Sequence, residues 1–162
     1  MKATPFLALL ALLSLFATGC SGSSFTATSG CAGPVVSGGL VYVGARDGRV
    51  LAMDVRTGAQ RWSFPPQDQD PLGGLYGTPA LDEGRLFVGG YNGKLYALDA
   101  ADLTLRWQFP VDDSRVGRIV GGPVVASGLV VFGSSDKIVR AVQASNGVLK
   151  WEFPTGDMVW AT

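Results

Sequence analysis

Three stretches of this chain repeat one pattern: DGRVLAMDVRTGAQRWSFP (47–65), NGKLYALDAADLTLRWQFP (92–110) and DKIVRAVQASNGVLKWEFP (136–154). Their tryptophans, Trp62, Trp107 and Trp151, stand 45 and 44 residues apart. The same period relates Pro34, Pro79 and Pro123, and the apolar runs that end in Gly44, Gly89 and Gly133. A fixed period of this length is the signature of a repeat architecture. Each unit is then a supersecondary element that buries its apolar face only against its neighbours.

Each unit reads as four short strands. The first follows the proline, and the second is the apolar run ending in glycine. The third is centred on Ala52, Ala97 or Ala141, and the fourth carries the tryptophan. Asp47-Gly48 and Asn92-Gly93 fall between the second and third strands, where a tight hairpin needs positive φ. Thr57-Gly58 and Asn146-Gly147 mark the following turn. Four-stranded units at this spacing, with periodic glycine and aromatic landmarks, predict an all-β chain of β-propeller blades at 31–66, 75–110 and 119–154. The ending VWAT aligns with LYGT (75–78) and IVGG (119–122), so a fourth blade is expected to start at 158–162. Propellers close with four to eight blades, and terminal repeats need capping. About three blades therefore predict an incomplete array: a piece of a longer reading frame, or a chain that self-associates into a ring. In either case the tryptophans are expected to be structural, each filling the gap between neighbouring sheets.

Glycine accounts for 23 of the 162 residues and charged residues for 16%, which suits many turns and short strands. The formal net charge is zero, so nothing points to nucleic acid as an electrostatic partner. The N-terminus is a separate matter. Met1-Lys2 precede an apolar run, Phe6–Ala17, which is short for a membrane span and suits a signal peptide over 1–19. Ala17-Thr18-Gly19-Cys20 resembles a bacterial lipobox; the alternative is an ordinary signal peptide cleaved near Ala17. On the lipobox reading Cys20 is the lipid-modified mature N-terminus, giving membrane attachment, and residues 20–30 form a flexible Ser/Gly tether. Cys31 is then left without a disulfide partner and is expected as a buried thiol.

The pattern Ala-x-Asp-x-x-x-Gly-x-x-x-Trp is intact from Ala52 to Trp62 and resembles the repeats of the PQQ (pyrroloquinoline-quinone)-like propellers. The second copy has Leu103 in place of the glycine, and the third has Gln143 in place of the aspartate. The resemblance covers about residues 33–160 and implies the fold; the family itself joins enzymes to non-enzymes.

The chain has no histidine, and its two glutamates are Glu83 and Glu152. It holds no catalytic triad, no His/Cys metal cluster and no phosphate-cradling loop. The carboxylate pairs Asp68/Asp70 and Asp112/Asp113 lack EF-hand spacing and read as solvated loop charge. The quinoprotein alcohol dehydrogenases resemble the chain in blade pattern. The adjacent-cysteine disulfide and calcium ligands which that resemblance implies have no match here, so no cofactor is expected. Lipobox, tether and blades together resemble the propeller lipoproteins of the outer-membrane β-barrel assembly machinery. That resemblance implies a non-catalytic scaffold, lipid-anchored in the bacterial envelope, whose partner is an envelope protein, with assembly of outer-membrane proteins as its setting. The alternative is part of a quinoprotein dehydrogenase whose catalytic blades lie elsewhere. The links between blades and the turns between second and third strands emerge on one face. Arg46, Tyr91, Asp112, Arg115 and Arg118 on that face are the candidate partner-binding residues, since loops on a rigid scaffold are where binding concentrates.

Overall fold

The shared alternation of apolar residues builds twelve strands among the described residues, 32–160, of the computed structural model. The first unit comprises β1 (Val35–Ser37), β2 (Leu40–Gly44), β3 (Val50–Asp54) and β4 (Gln60–Phe64). The second comprises β5 (Ala80–Asp82), β6 (Arg85–Gly89), β7 (Leu95–Asp99) and β8 (Leu105–Phe109). The third comprises β9 (Val124–Ala126), β10 (Leu129–Ser134), β11 (Ile138–Gln143) and β12 (Leu149–Pro154). Each unit is one antiparallel four-stranded sheet with its strands in chain order. The chain is thus all-β, an arc of three propeller blades. Residues 1–31, including Cys20 and Cys31, lie outside the described residues, as do 161 and 162.

Side chains alternate across each sheet, so one strand serves two seams. Leu86, Val88, Tyr96 and Leu98 of the second blade pack with Tyr42, Val50 and Ala52 of the first. Phe87, Leu95 and Ala97, on the other face of the same strands, pack with Val130, Phe132 and Val142 of the third. The middle blade is therefore buried on both sides, and most of the hydrophobic stabilisation sits in the two seams.

The glycine that ends each second strand has a packing role. A Cβ on Gly44 would stand 2.9 Å from Cβ of Leu75, and one on Gly89 would press into Ile119. Leu75 and Ile119 open the following blade and are both fully buried. Their amides donate back to the blade behind, Leu75 to Ala45 O (3.2 Å) and Ile119 to Gly90 O (3.2 Å). Val159 repeats the contact on Gly133, with its amide 3.3 Å from Ser134 O. The segment read as the start of a fourth blade docks like its predecessors as far as it is described.

A bulge recurs at the shared alanine of the third strand. Ala52, Ala97 and Ala141 pair with the tryptophans, and the register slips at the next residue, leaving Arg61, Arg106 and Lys150 as the extra residues. A bulge turns side chains out of the normal alternation. Here it brings Arg61 to Asp54 (3.0 Å) and Arg106 to Asp99. Asp54 also accepts from the amides of Arg56 and Thr57 in the turn. The hydrogen bond from Arg61, followed by those amides, holds the Asp54 carboxyl down at about 2. Arg106 lowers Asp99 in the same way.

Candidate functional site

The links between blades cross directly over the hairpins between second and third strands. Leu72 N donates to Gly48 O, Val116 N to Gly93 O and Thr155 N to Lys137 O. These bonds gather links and turns on one face, and consecutive blades supply neighbouring side chains.

Tyr91, in the middle-blade turn, lies between two others. Tyr76 from the preceding link meets it edge-on, with centroids 5.4 Å apart, and the Arg118 guanidinium lies 4.7 Å from its ring centroid. The backbone fixes this stack: Tyr91 N donates to Gly74 O, Arg118 N to Ser135 Oγ (2.8 Å), and Ser135 N to Arg118 O. A half-buried tyrosine flanked by an aromatic ring and an exposed arginine offers area, a phenol and a cation at little entropic cost.

The other candidates fall differently. Asp112 lies at the seam of blades two and three, where it accepts from Ser114 Oγ and N. Lys94 Nζ donates to its backbone carbonyl (2.8 Å). The Ser114 hydroxyl, then its amide, lowers the Asp112 carboxyl. Arg115 is exposed nearby and acts on the Tyr96 phenol only as a minor charge, since burial raises that group. Arg46 is exposed on the first blade's turn. The structure thus joins Tyr91 to Arg118, adds Tyr76, and leaves the others around them.

Next to the backbone that carries Arg118, where Gly117 N donates to Asp136, lies an ion cluster that sequence reading missed. Arg140, with a side chain 7% exposed, pairs with Asp136 Oδ2 (2.7 Å) and Glu152 Oε1 (2.7 Å) and donates to Ser134 Oγ (2.8 Å). For Asp136, burial would raise the carboxyl, but bonds from Arg140, Ser134 and the Gly117 amide outweigh it and hold it at about 2. Burial would likewise lower Arg140, and its two carboxylates more than offset that. The second blade fills the same repeat positions with a neutral pair, Asn92 Nδ2 donating to Tyr96 Oη (2.7 Å). Every buried side-chain polar atom among the described residues has a partner. The cluster is a satisfied structural network, with no acid or base free to act.

The three tryptophans prove unequal. Trp107 fills its seam: Nε1 donates to Ala144 O (3.0 Å) of the third blade, and its ring tilts on Phe87. A Cβ on Gly147 would lie 2.7 Å from Cε3 of Trp107. Trp62, 47% exposed, departs from the expected role. At the position matching Gly147 the second blade has Leu103, which adopts φ 60° and buries its own side chain in the seam. Tyr42, where the next blade has Phe87, donates to Ala100 O (2.7 Å), the acceptor matching Ala144 O. Leucine and tyrosine together have taken over the work of the indole. Trp151 is 42% exposed because no following blade covers it among the described residues.

Among the described residues there is no group of three or more His, Cys, Asp or Glu able to hold a metal ion, and no helix is long and apolar enough to cross a membrane. Pyrroloquinoline quinone is a planar tricarboxylate that needs cations and a flat slot. Arg118 is stacked on Tyr91 and Arg140 is satisfied by two carboxylates, so neither is free to meet such a group.

A family model described as outer membrane protein assembly factor BamB matches residues 15–79 and 67–159. Among solved structures, the quinohemoprotein alcohol dehydrogenase from Comamonas testosteroni is 31% identical with a TM-score of 0.60, over 77% of this chain and 21% of that one. BamB from Moraxella catarrhalis is 22% identical with a TM-score of 0.58, over 72% of this chain and 34% of that one, a likeness of fold. The serine/threonine-protein kinase AfsK of Streptomyces griseus is 47% identical over 53 residues, which is 32% of this chain and 6% of the kinase. The chain thus spans between 6% and 34% of the length of these relatives.

Proposed function

The chain belongs to the family described as outer membrane protein assembly factor BamB, and on that premise we propose that it is a non-catalytic scaffold of the bacterial envelope. Cys20 anchors it by lipid after removal of 1–19, and the outer membrane, facing the periplasm, is its site. The observation that carries the reading is the Tyr76–Tyr91–Arg118 stack: a rigid, partly exposed aromatic and cationic anchor on the loop face. Its partner on this reading is a protein of the β-barrel assembly machinery. Arg46, Asp112 and Arg115 form a polar rim that steers the encounter more than it sets affinity.

The test is binding of the periplasmic domains of the barrel-inserting subunit to wild-type chain and to Y91A and R118A variants. The reading expects a loss of about tenfold or more for each, near 1.4 kcal/mol. Equal binding by all three chains would remove the stack from the interface. A second reading, part of a quinoprotein dehydrogenase, is favoured by the 31% identity to the Comamonas enzyme. Quinone-dependent dye reduction by the native protein isolated from membranes would decide for it.

A further inference from the structure

The release of Trp62 has a consequence at the seam of the first and second blades. Where Trp107 closes its seam, the corresponding cleft at Phe109, Asp112 and Leu149 measures about 370 Å³. Around Trp62 the cleft opens to about 590 Å³, within the range of small-molecule sites. Its apolar lining is the exposed indole with Phe64, Pro66, Leu103 and Leu105, and three glutamines, Gln60, Gln67 and Gln69, line it as well. Both walls are held. Arg49 donates to the carbonyls of Pro65 (2.8 Å), Pro66 (2.7 Å) and Gln69 (2.8 Å), fixing the loop that carries two of the glutamines. Opposite, Asp102 Oδ1 accepts from Thr104 N (2.9 Å) and Oγ1 (2.8 Å), locking that turn.

We infer that this cleft is a binding site for a neutral glycan, taking a pyranose ring against Trp62. The charged side chains lining it are Arg61 and Asp102, of opposite sign; Arg61 is tied to Asp54 and Asp102 to its own turn. The two charges leave the cleft close to neutral, and an anion would meet an arginine that is already paired. A pyranose presents one face of C–H groups, which suits an indole plane, and a rim of hydroxyls that both donate and accept. A carboxamide does both as well, with two N–H donors and a carbonyl oxygen. Walls fixed before binding keep the ordering cost low. The site does not depend on the scaffold reading, because none of its lining residues belongs to the Tyr76–Tyr91–Arg118 stack.

The experiment is titration of the full chain with maltohexaose, cellohexaose and chitohexaose, followed by tryptophan fluorescence and calorimetry. At least one is expected to bind. W62A should weaken it by about tenfold or more, and W151A, which removes an equally exposed indole elsewhere, should leave it unchanged. A Y42F/L103G variant rebuilds the closed seam of the next blade pair. It should draw Trp62 inward, seen as a blue-shifted emission, and abolish binding with the platform residue still present. No binding by any of the three at about 10 mM, or equal losses in W62A and W151A, would overturn the assignment. So would a site that ignores the glycans and takes an extended peptide along the open edge of β4.

Discussion

Replacing Gly147 with alanine isolates what a docked tryptophan contributes to a seam. Two effects add. Gly147 has φ 72°, a left-handed conformation that costs an alanine about 1 kcal/mol. The new Cβ would also lie 2.7 Å from Cε3 and 2.9 Å from Cδ2 of Trp107. Carbon atoms rest at about 3.5–4.0 Å, so the ring must back out by about 1 Å. The 3.0 Å bond from Nε1 to Ala144 O is then lost, at about 1 kcal/mol, along with part of the ring's burial. The expected destabilisation is about 2–4 kcal/mol. Gly58 is the internal control: its φ is 70°, and a Cβ there meets nothing within 4 Å, so G58A should show the conformational effect alone. Urea melts followed by circular dichroism give both values, and Trp107 emission should shift red only in G147A. Equal destabilisation by G147A and G58A, with unchanged emission, would refute the docking argument.

The same reasoning separates the tryptophans: W107F should cost about 1 kcal/mol more than W62F in urea melts, since only Trp107 bonds across its seam. Arg140→Met leaves Asp136 and Glu152 without their cation and should cost about 2–3 kcal/mol, the partly exposed carboxylates being relieved by water. Installing the neutral pair of the second blade, as D136N/R140Y, should recover most of that loss in the same melt. For pH, hydrogen bonds and paired arginines hold the folded Asp54 and Asp136 carboxyls at about 2, below the ordinary aspartate value of about 3.9. Their contribution is therefore complete above about pH 4 and disappears as pH falls through 2. An acid titration of stability should decline across that window, and D136N should flatten it by about 2 kcal/mol at most.

Much of the fold was legible because repetition states it three times. The spacing of tryptophans, prolines and glycines located the blades and aligned Val159 with Leu75 and Ile119. What was not legible was how unequal the copies are. Leu103 was visible as a break in the pattern, but its effect on Trp62 depends on Tyr42, 61 residues earlier, taking the Ala100 carbonyl. The bulge beside Ala52, Ala97 and Ala141 left one signal, an aspartate followed seven residues later by arginine in two copies. Arg140 gave none: a lone arginine in a strand reads as exposed until Asp136 and Glu152 fold over it. On the loop face, Tyr91 and Arg118 were each suggestive, while their contact, and the place of Tyr76 beside them, required two consecutive blades to be set side by side.

On the scaffold proposal, the loop face built on Tyr91 meets an envelope partner. The most direct measurement puts a photoactivatable phenylalanine at Tyr91 in living cells, with position 127, on the opposite hairpins, as control. A light-dependent adduct with a β-barrel assembly protein is expected at 91 and none at 127. An adduct pattern that is the same at both positions, or no adduct at 91 in cells that carry the protein in their envelope, would contradict it.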